Sequence, residues 1–309
     1  DRLGIMQSLV MHYDHSIYNF VAALMKKLLF QFDTDQHAST FDTVVAYDGG
    51  ADHVIPMANV SPENVATLVD GCIFTRAPKD KKNTAIFIGG SNMLAGQALL
   101  DSVVNHFFPG FRVSVMLDSN GSNTTAAAAV AKIASTCPLA NQNAVILAGT
   151  GPVGQRAAAM MAMEGARVTI TSRSLANAEQ ACMAIKHRFG VDVDAKSATD
   201  DESRAEAIAN ANIVLATGAS GIQLLKPEHW QNNPNLKVLA DANATPPLGI
   251  GGTDVMDKAE LRSGKIIWGA IGFGALKLAL HRACVAQLFE DNKQILDAEN
   301  IFALAKSMA

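Results

Sequence analysis

From residue 28 onward, short apolar runs alternate with longer amphipathic or alanine-rich stretches. Residues 28–32 (LLFQF), 84–88 (TAIFI), 113–117 (VSVML), 144–148 (AVILA), 167–171 (RVTIT), 213–217 (IVLAT), 237–240 (KVLA) and 266–269 (IIWG) read as strands, and 72–75 (CIFT) as one more. Several are apolar throughout, as expected of strands covered on both faces of a parallel sheet. The intervening stretches read as helices. One opens at Ser61-Pro62-Glu63-Asn64, with Ser61 as N-cap and Pro62 at the first helical position. Others follow Gly89-Gly90-Ser91-Asn92 to about 106, run through the alanines at 126–134, and cover 174–189, 200–211 (capped by Asp200 or Asp201), 275–290 and 297–308. This alternation predicts an α/β fold whose polar loops gather at one edge of each sheet, and the loop at 136–143 separates two halves.

Residues 1–24 break the pattern. His12, Asp14 and His15 interrupt their apolar positions, and no small-residue cleavage site follows. They read as an upstream extension without function, helical in part near 17–25, while Met25-Lys26-Lys27 reads as a native beginning.

The strongest local signal follows the strand at 144–148. Gly149-Thr150-Gly151-Pro152-Val153-Gly154 leads into a helix that ends at Gly165, and a second strand comes next. Strand, G-x-G-x-x-G, helix, strand within about 30 residues is the dinucleotide-binding pattern. Gly149 allows the tight turn, Gly151 lets backbone N–H groups approach a pyrophosphate, and Gly154 lets helix and strand pack closely. The helix N-terminus then offers free donors and the positive end of its dipole. The second strand ends in Ser172-Arg173-Ser174 with no carboxylate for ribose hydroxyls. An arginine flanked by two hydroxyls suits a 2′-phosphate, so the pattern predicts NADP over NAD. Later strand ends (Thr217, Gly218, Ala219; Asp241, Asn243; Gly272) are expected beside the cofactor.

Composition narrows the function classes. The net charge of -4 gives no basic surface for nucleic acid. No stretch of about 18 uninterrupted apolar residues occurs, so no membrane span is expected. Cys72, Cys137, Cys182 and Cys284 are widely spaced and form no C-x-x-C pair, which points to buried thiols in a reducing cytoplasm rather than a metal or disulfide framework.

In the first half, loops 33–35, 48–53, 89–92 and 118–125 are expected to face the cofactor and hold the substrate. They carry Asp33, Asp35, Asp48, Asp52, His53, Asp118, Asn120, Asn123 and Thr124. Carboxylates, amides and hydroxyls suit a heterocycle rich in N–H groups. There is no nucleophile elbow, H-E-x-x-H, P-loop or Tyr-x-x-x-Lys pair. His53 is a candidate base, and Lys277 follows a glycine-rich turn at a helix start.

The stretches KKLLFQFDTD (26–35), YDGGADH (47–53), MLDSNGSNTTAAA (116–128), LAGTGPVG (147–154), PPLGIGG (246–252) and LHRAC (280–284) carry a resemblance across both halves. The chain resembles the bacterial NADP-dependent methylene-tetrahydromethanopterin dehydrogenases of one-carbon metabolism. That resemblance implies reversible hydride transfer from methylene-tetrahydromethanopterin to NADP, with methylene-tetrahydrofolate as a further substrate of some relatives. It implies a pterin-binding α/β domain at 25–128, joined by the C-terminal helix at about 290–309, and a Rossmann-type NADP domain at 129–289. It also implies a homo-oligomer, such as a trimer, and puts Lys277 beside the pterin. The competing readings are an NADP-binding sensor without turnover and another two-domain NADP dehydrogenase of the shikimate type.

Overall fold

The computed structural model describes residues 25–309, so the expectations for residues 1–24 lie outside it. The first part of the chain forms β1 (Leu28–Asp33), α1 (Thr40–Asp48), β2 (His53–Met57), α2 (Val65–Phe74), β3 (Thr84–Gly89), α3 (Met93–Asn105), β4 (Ser114–Leu117) and α4 (Ser122–Thr136). The second forms β5 (Asn143–Leu147), α5 (Pro152–Met163), β6 (Arg167–Ser172), α6 (Leu175–Phe189), β7 (Asp194–Ser197), α7 (Asp201–Ile208), β8 (Ile213–Ala216), α8 (Pro227–Trp230), β9 (Val238–Asp241), β10 (Lys258–Arg262), β11 (Lys265–Trp268) and α9 (Ala270–Gln287). β12 (Ile295–Leu296) and α10 (Ala298–Met308) close the chain.

These elements make the expected α/β architecture. A five-stranded parallel sheet has the order β12-β4-β3-β1-β2, and a seven-stranded sheet has the order β10-β11-β9-β8-β5-β6-β7, parallel except for β10. The central strands β3, β4, β8 and β9 are buried at every position, which explains why they are apolar but for Thr84, Ser114 and Asp241 at their ends. β12 returns to pair with β4, so the last segment of the chain belongs to the first sheet.

Residues 72–75 are not a strand. Cys72–Phe74 is the end of α2, whose buried Val65, Val69, Cys72 and Ile73 repeat at helical spacing. The Ser61 cap is displaced as well: a turn, held by Ser61 N–H donating to Asn64 Oδ1 at 2.9 Å, precedes the helix, and Asn64 takes the cap position.

α4 joins the two sheets. Its Ala126–Ala131 segment is buried all round and lies in one apolar core with Leu29 and Phe87 of the first sheet and Ile146 and Ile170 of the second. Alanine side chains let α4 lie close to Ala157, Ala158 and Ala159 of α5. A polar tie runs beside it. Buried Asp297 accepts from Arg188 at 2.6 Å, Gln97 at 3.2 Å and Asn123 at 3.3 Å, and Arg156 donates to Gln97 at 3.1 Å. Among the described residues, no helix is long and apolar enough to cross a membrane.

Candidate functional site

Two cavities open at the C-terminal edges of the two sheets, where strands hand over to loops. The larger, about 870 Å³, lies beyond β5 and β6. Gly149 N–H donates to the Thr171 carbonyl at 3.0 Å, which folds the turn back on β6. A Cβ on Gly154 would stand 2.6 Å from Gly149 Cα and 2.7 Å from Thr217 Oγ1, so helix and turn meet without a side chain between them. Gly151, by contrast, faces open space at the N-cap of α5, with Pro152 and Val153 opening the helix. That is a cradle a Cβ would narrow, with the first N–H groups of the helix turned toward it.

Of the expected cofactor residues, the cavity wall itself takes in Thr150, Ser172, Arg173, Ser174, Gly218 and Ala219, with the glycine turn beside it. Among the described residues, exposed Arg173 has no hydrogen-bond or ion-pair partner, which leaves its guanidinium free for an anion. A dinucleotide carrying a 2′-phosphate fits this donor set.

Four expected cofactor residues do other work. Asp241 is buried and accepts from the N–H groups of Asn243 and Ile250 at 2.9 and 2.8 Å. Burial holds its pKa above the usual carboxylate value despite those bonds. Asn243 accepts from Thr245 N–H and donates to the Pro247 carbonyl, bracing the same loop. Gly272 is a packing glycine, since a Cβ there would run into the Asp257 carbonyl. Thr217, outside the cavity wall, donates its hydroxyl to the Leu147 carbonyl at 3.2 Å, tying the end of β8 to β5.

The smaller cavity, about 360 Å³, lies beyond β1 and β3. It brings together Asp33, Asp35, Asn120 and Lys277. Asp33 is committed to the loop, accepting from Asp35 N–H at 2.9 Å and Ser39 N–H at 3.0 Å. Asp35 holds Ser91 through its N–H and hydroxyl, at 2.9 and 3.0 Å. Asn120 has a positive φ of 56° and donates its N–H to the Gly90 carbonyl at 2.6 Å. Lys277 is half-buried, with Nζ 4.1 Å from the Phe41 ring centroid.

Asp118, Asn123 and Thr124 sit behind this cavity rather than in its wall. Asp118 is fully buried and accepts from Thr124 N–H and Oγ1 at 3.0 and 2.6 Å, while Asn123 donates to the Leu117 carbonyl at 2.7 Å. Asp48, Asp52 and His53 lie at the opposite edge of the sheet. His53 pairs with Leu28 at the start of β1, whereas the cavity sits beyond Asp33 at its end. Asp48 is tied to Arg282 at 2.7 Å, and Asp52 accepts from Lys27 N–H at 2.7 Å. The 48–53 turn precedes a strand, and in a parallel sheet such turns fall at the N-terminal edge.

The cavity also contains residues the sequence reading did not single out: Ser91 and Thr125, from loops it had placed here, and, outside those loops, His37, Phe41 and above all Asp42. Asp42 lies in the first turn of α1, which Ser39 caps. Burial first, then the neighbouring Asp118 and Asp33 carboxylates, push its pKa up to about 6 against the opposing pull of Ser39 and Lys277. Ser39, three residues before Asp42, was the available signal, since a capped helix start beyond a strand end is a recurrent ligand position. Behind them His281 is buried and stacked on Phe87, with neither ring nitrogen hydrogen-bonded, and its pKa is lowered to about 4 by burial.

Comparison with known proteins identifies the family and the fold. Residues 40–120 match the family described as methylene-tetrahydromethanopterin dehydrogenase, N-terminal. The chain is 52% identical over 288 residues to the bifunctional protein MdtA of Methylorubrum extorquens, covering 93% of this chain and all of that one. It is 32% identical over 296 residues to the NAD(P)-dependent methylenetetrahydromethanopterin dehydrogenase of the same organism, again covering 93% and 100%. Among solved structures, the ligand-free 5-ketofructose reductase of Gluconobacter sp. strain CHM43 superposes with a TM-score of 0.53 at 15% identity, covering 93% of this chain and 100% of that one. The quinate dehydrogenase from Corynebacterium glutamicum in complex with NAD gives 0.51 at 16%, covering 91% and 99%. At such identities these two speak for the fold alone.

Proposed function

The chain belongs to the methylene-tetrahydromethanopterin dehydrogenase family, and we propose that it passes a hydride from methylene-tetrahydromethanopterin, held in the cavity beyond β1 and β3, to NADP held beyond β5 and β6. The observation that carries this reading is the course of α9. It starts at the C-terminal end of β11, on the cofactor edge of the second sheet, and brings Lys277 into the cavity of the first. One helix thus spans the ground between the two ligands.

The chemistry suits the residues present. The donor carbon of the substrate lies between two nitrogens, so losing hydride leaves a cation that both delocalise. No proton has to move, and the site needs no general acid or base. The bound NADP supplies the hydride acceptor. The protein's part is to position the substrate, exclude water and set the local potential. Asp33, Asp35 and Asp42 surround the cavity with carboxyl groups that favour a developing positive charge. Lys277 would oppose that charge if it stood beside the reacting carbon, so its role is orientation: packed on Phe41, it offers an N–H donor to the polar atoms of the pterin. Around the cofactor, Gly151 admits the pyrophosphate and Arg173, Ser172 and Ser174 take the 2′-phosphate.

The test is spectrophotometric. The protein is mixed with methylene-tetrahydromethanopterin and NADP, then with methylene-tetrahydrofolate, and formation of NADPH is followed. Turnover with the methanopterin form is the expected result. Absence of NADPH with either pterin would overturn the reading and favour a binding protein without turnover.

A further inference from the structure

Arg173 carries one charge, whereas a ribose 2′-phosphate carries nearly two around neutral pH. A second guanidinium lines the same cavity. Arg204, on α7, stands in its wall together with Ser172, Arg173, Ser174 and Thr199. The topology explains how. β6 and β7 run side by side with Ser172 opposite Ser197, and Ala198 N–H donates to the Ser172 carbonyl at 2.8 Å. The segments leaving these two strands therefore flank one space, Arg173 on one side and Thr199 with α7 on the other.

Arg204 is held ready. Its side chain is 17% exposed, with Nη1 donating to Asp201 Oδ1 at 2.8 Å and Nη2 to the Thr199 carbonyl at 3.3 Å. A guanidinium has five N–H donors, so most remain for a ligand. Asp201 does not cancel its charge, because the other Asp201 oxygen pairs with Lys226 at 2.7 Å. One carboxylate lies between two cations, and the group keeps a net positive charge. The nearby acids are otherwise engaged: Asp200 caps α7 through Ser203 N–H at 2.8 Å, and Glu206 pairs with Lys196 at 3.0 Å.

We infer that Arg204 is a second ligand of the 2′-phosphate, so that the dinucleotide is selected by two arginines, one at the end of β6 and one on α7. This rests on the reading of the cofactor as NADP. Arg173 approaches the phosphate from solvent, and Arg204 presents a fixed fork from the cavity wall. Two guanidiniums then match the charge of the phosphate and supply more donors than Arg173 and two serines alone.

Calorimetric titration of the full chain with 2′,5′-ADP and with 5′-AMP tests the inference without turnover. The parent should prefer 2′,5′-ADP. Arg204→Ala should lose on the order of tenfold of that preference, with its affinity for 5′-AMP and its Tm held. Arg204→Lys should recover only part of it, having the charge without the fork. An unchanged preference in Arg204→Ala overturns the inference. So does an equal loss of affinity for both ligands with a lowered Tm, which would make Arg204 a brace for α7. A parent that fails to discriminate overturns the NADP reading itself, an outcome distinct from the other two.

Discussion

Gly151 separates the roles of the glycine loop. Its backbone lies at φ -76° and ψ 171°, open to any residue, and an added Cβ would meet nothing within 4 Å. Replacing it with alanine therefore adds no strain to the free protein. The remaining cost is the weaker N-cap propensity of alanine, about 0.5–1 kcal/mol. In a chain of this size that lowers Tm by roughly 2–3 °C. The methyl group would, however, stand where the pyrophosphate must approach the first N–H groups of α5. NADP affinity should fall by about tenfold or more, equivalent to about 1.4 kcal/mol. Gly154→Ala should do the reverse. Its Cβ would lie 2.6 Å from Gly149 Cα, against an ordinary carbon contact of roughly 3.5–4 Å. Backbone has to move by nearly 1 Å, and overpacking of this kind costs about 1–3 kcal/mol. Thermal melts and calorimetric titration with NADP read both effects. Should Gly151→Ala bind NADP as the parent does, the helix terminus is not the pyrophosphate site. Should Gly154→Ala melt at the parental temperature, the close packing of turn and helix is not limiting.

Lys277→Ala should lower kcat/KM for the pterin by about tenfold or more, and an unchanged value in steady-state assays removes Lys277 from the site. Asp42→Asn should stabilise the protein at alkaline pH. The folded pKa of Asp42 is raised from 3.8 to about 6, so folding stability is lost as pH rises between those values, by at most roughly 3 kcal/mol. The Tm advantage of the variant should grow across that interval and vanish below it, and a Tm difference that does not change with pH refutes the assignment. His281 has the opposite sign. Its folded pKa of about 4 lies below 6.5, so stability is lost as pH falls between them, and His281→Phe should flatten the acid limb of a Tm-against-pH curve.

What the sequence conveyed depended on how local the determining physics was. The glycine turn, the caps at Ser39 and Asp200 and the apolar central strands are set by neighbours along the chain or by burial on both faces, and all leave a local pattern. Only the first of those caps went unread. β7 and β10 left no such mark, because they are short edge strands of mainly polar residues that owe their conformation to the strand beside them. Cys72–Phe74 looked like a strand because a short apolar run has no period of its own; its helical register appears only when Val65 and Val69 are counted with it. Asp48, Asp52 and His53 were assigned to the cavity because the turn is polar and glycine-bearing. Whether a turn follows a strand or precedes one decides which edge it occupies, and α1 lies between β1 and this turn.

Hydrogen-bond accounting sorts the candidate residues further than their type does. Asp33, Asp118 and Asp241 each use both carboxylate oxygens on groups of their own loops, so their chemistry is spent on holding backbone in place. A carboxylate so engaged has little left for a ligand, although its charge still shapes the potential. Arg173 and Lys277 differ: among the described residues neither forms an ion pair, and Lys277 packs on the face of Phe41 with its charge toward Asp42. Asp42 has the Ser39 hydroxyl as its hydrogen-bond partner and like charges as neighbours, an arrangement that costs stability in the free protein. Groups held at such a cost with donors or acceptors to spare are those a ligand would satisfy. By that criterion the proposed pterin site would centre on Asp42 and Lys277 and the proposed 2′-phosphate site on Arg173, with the other carboxylates serving as the frame that fixes them.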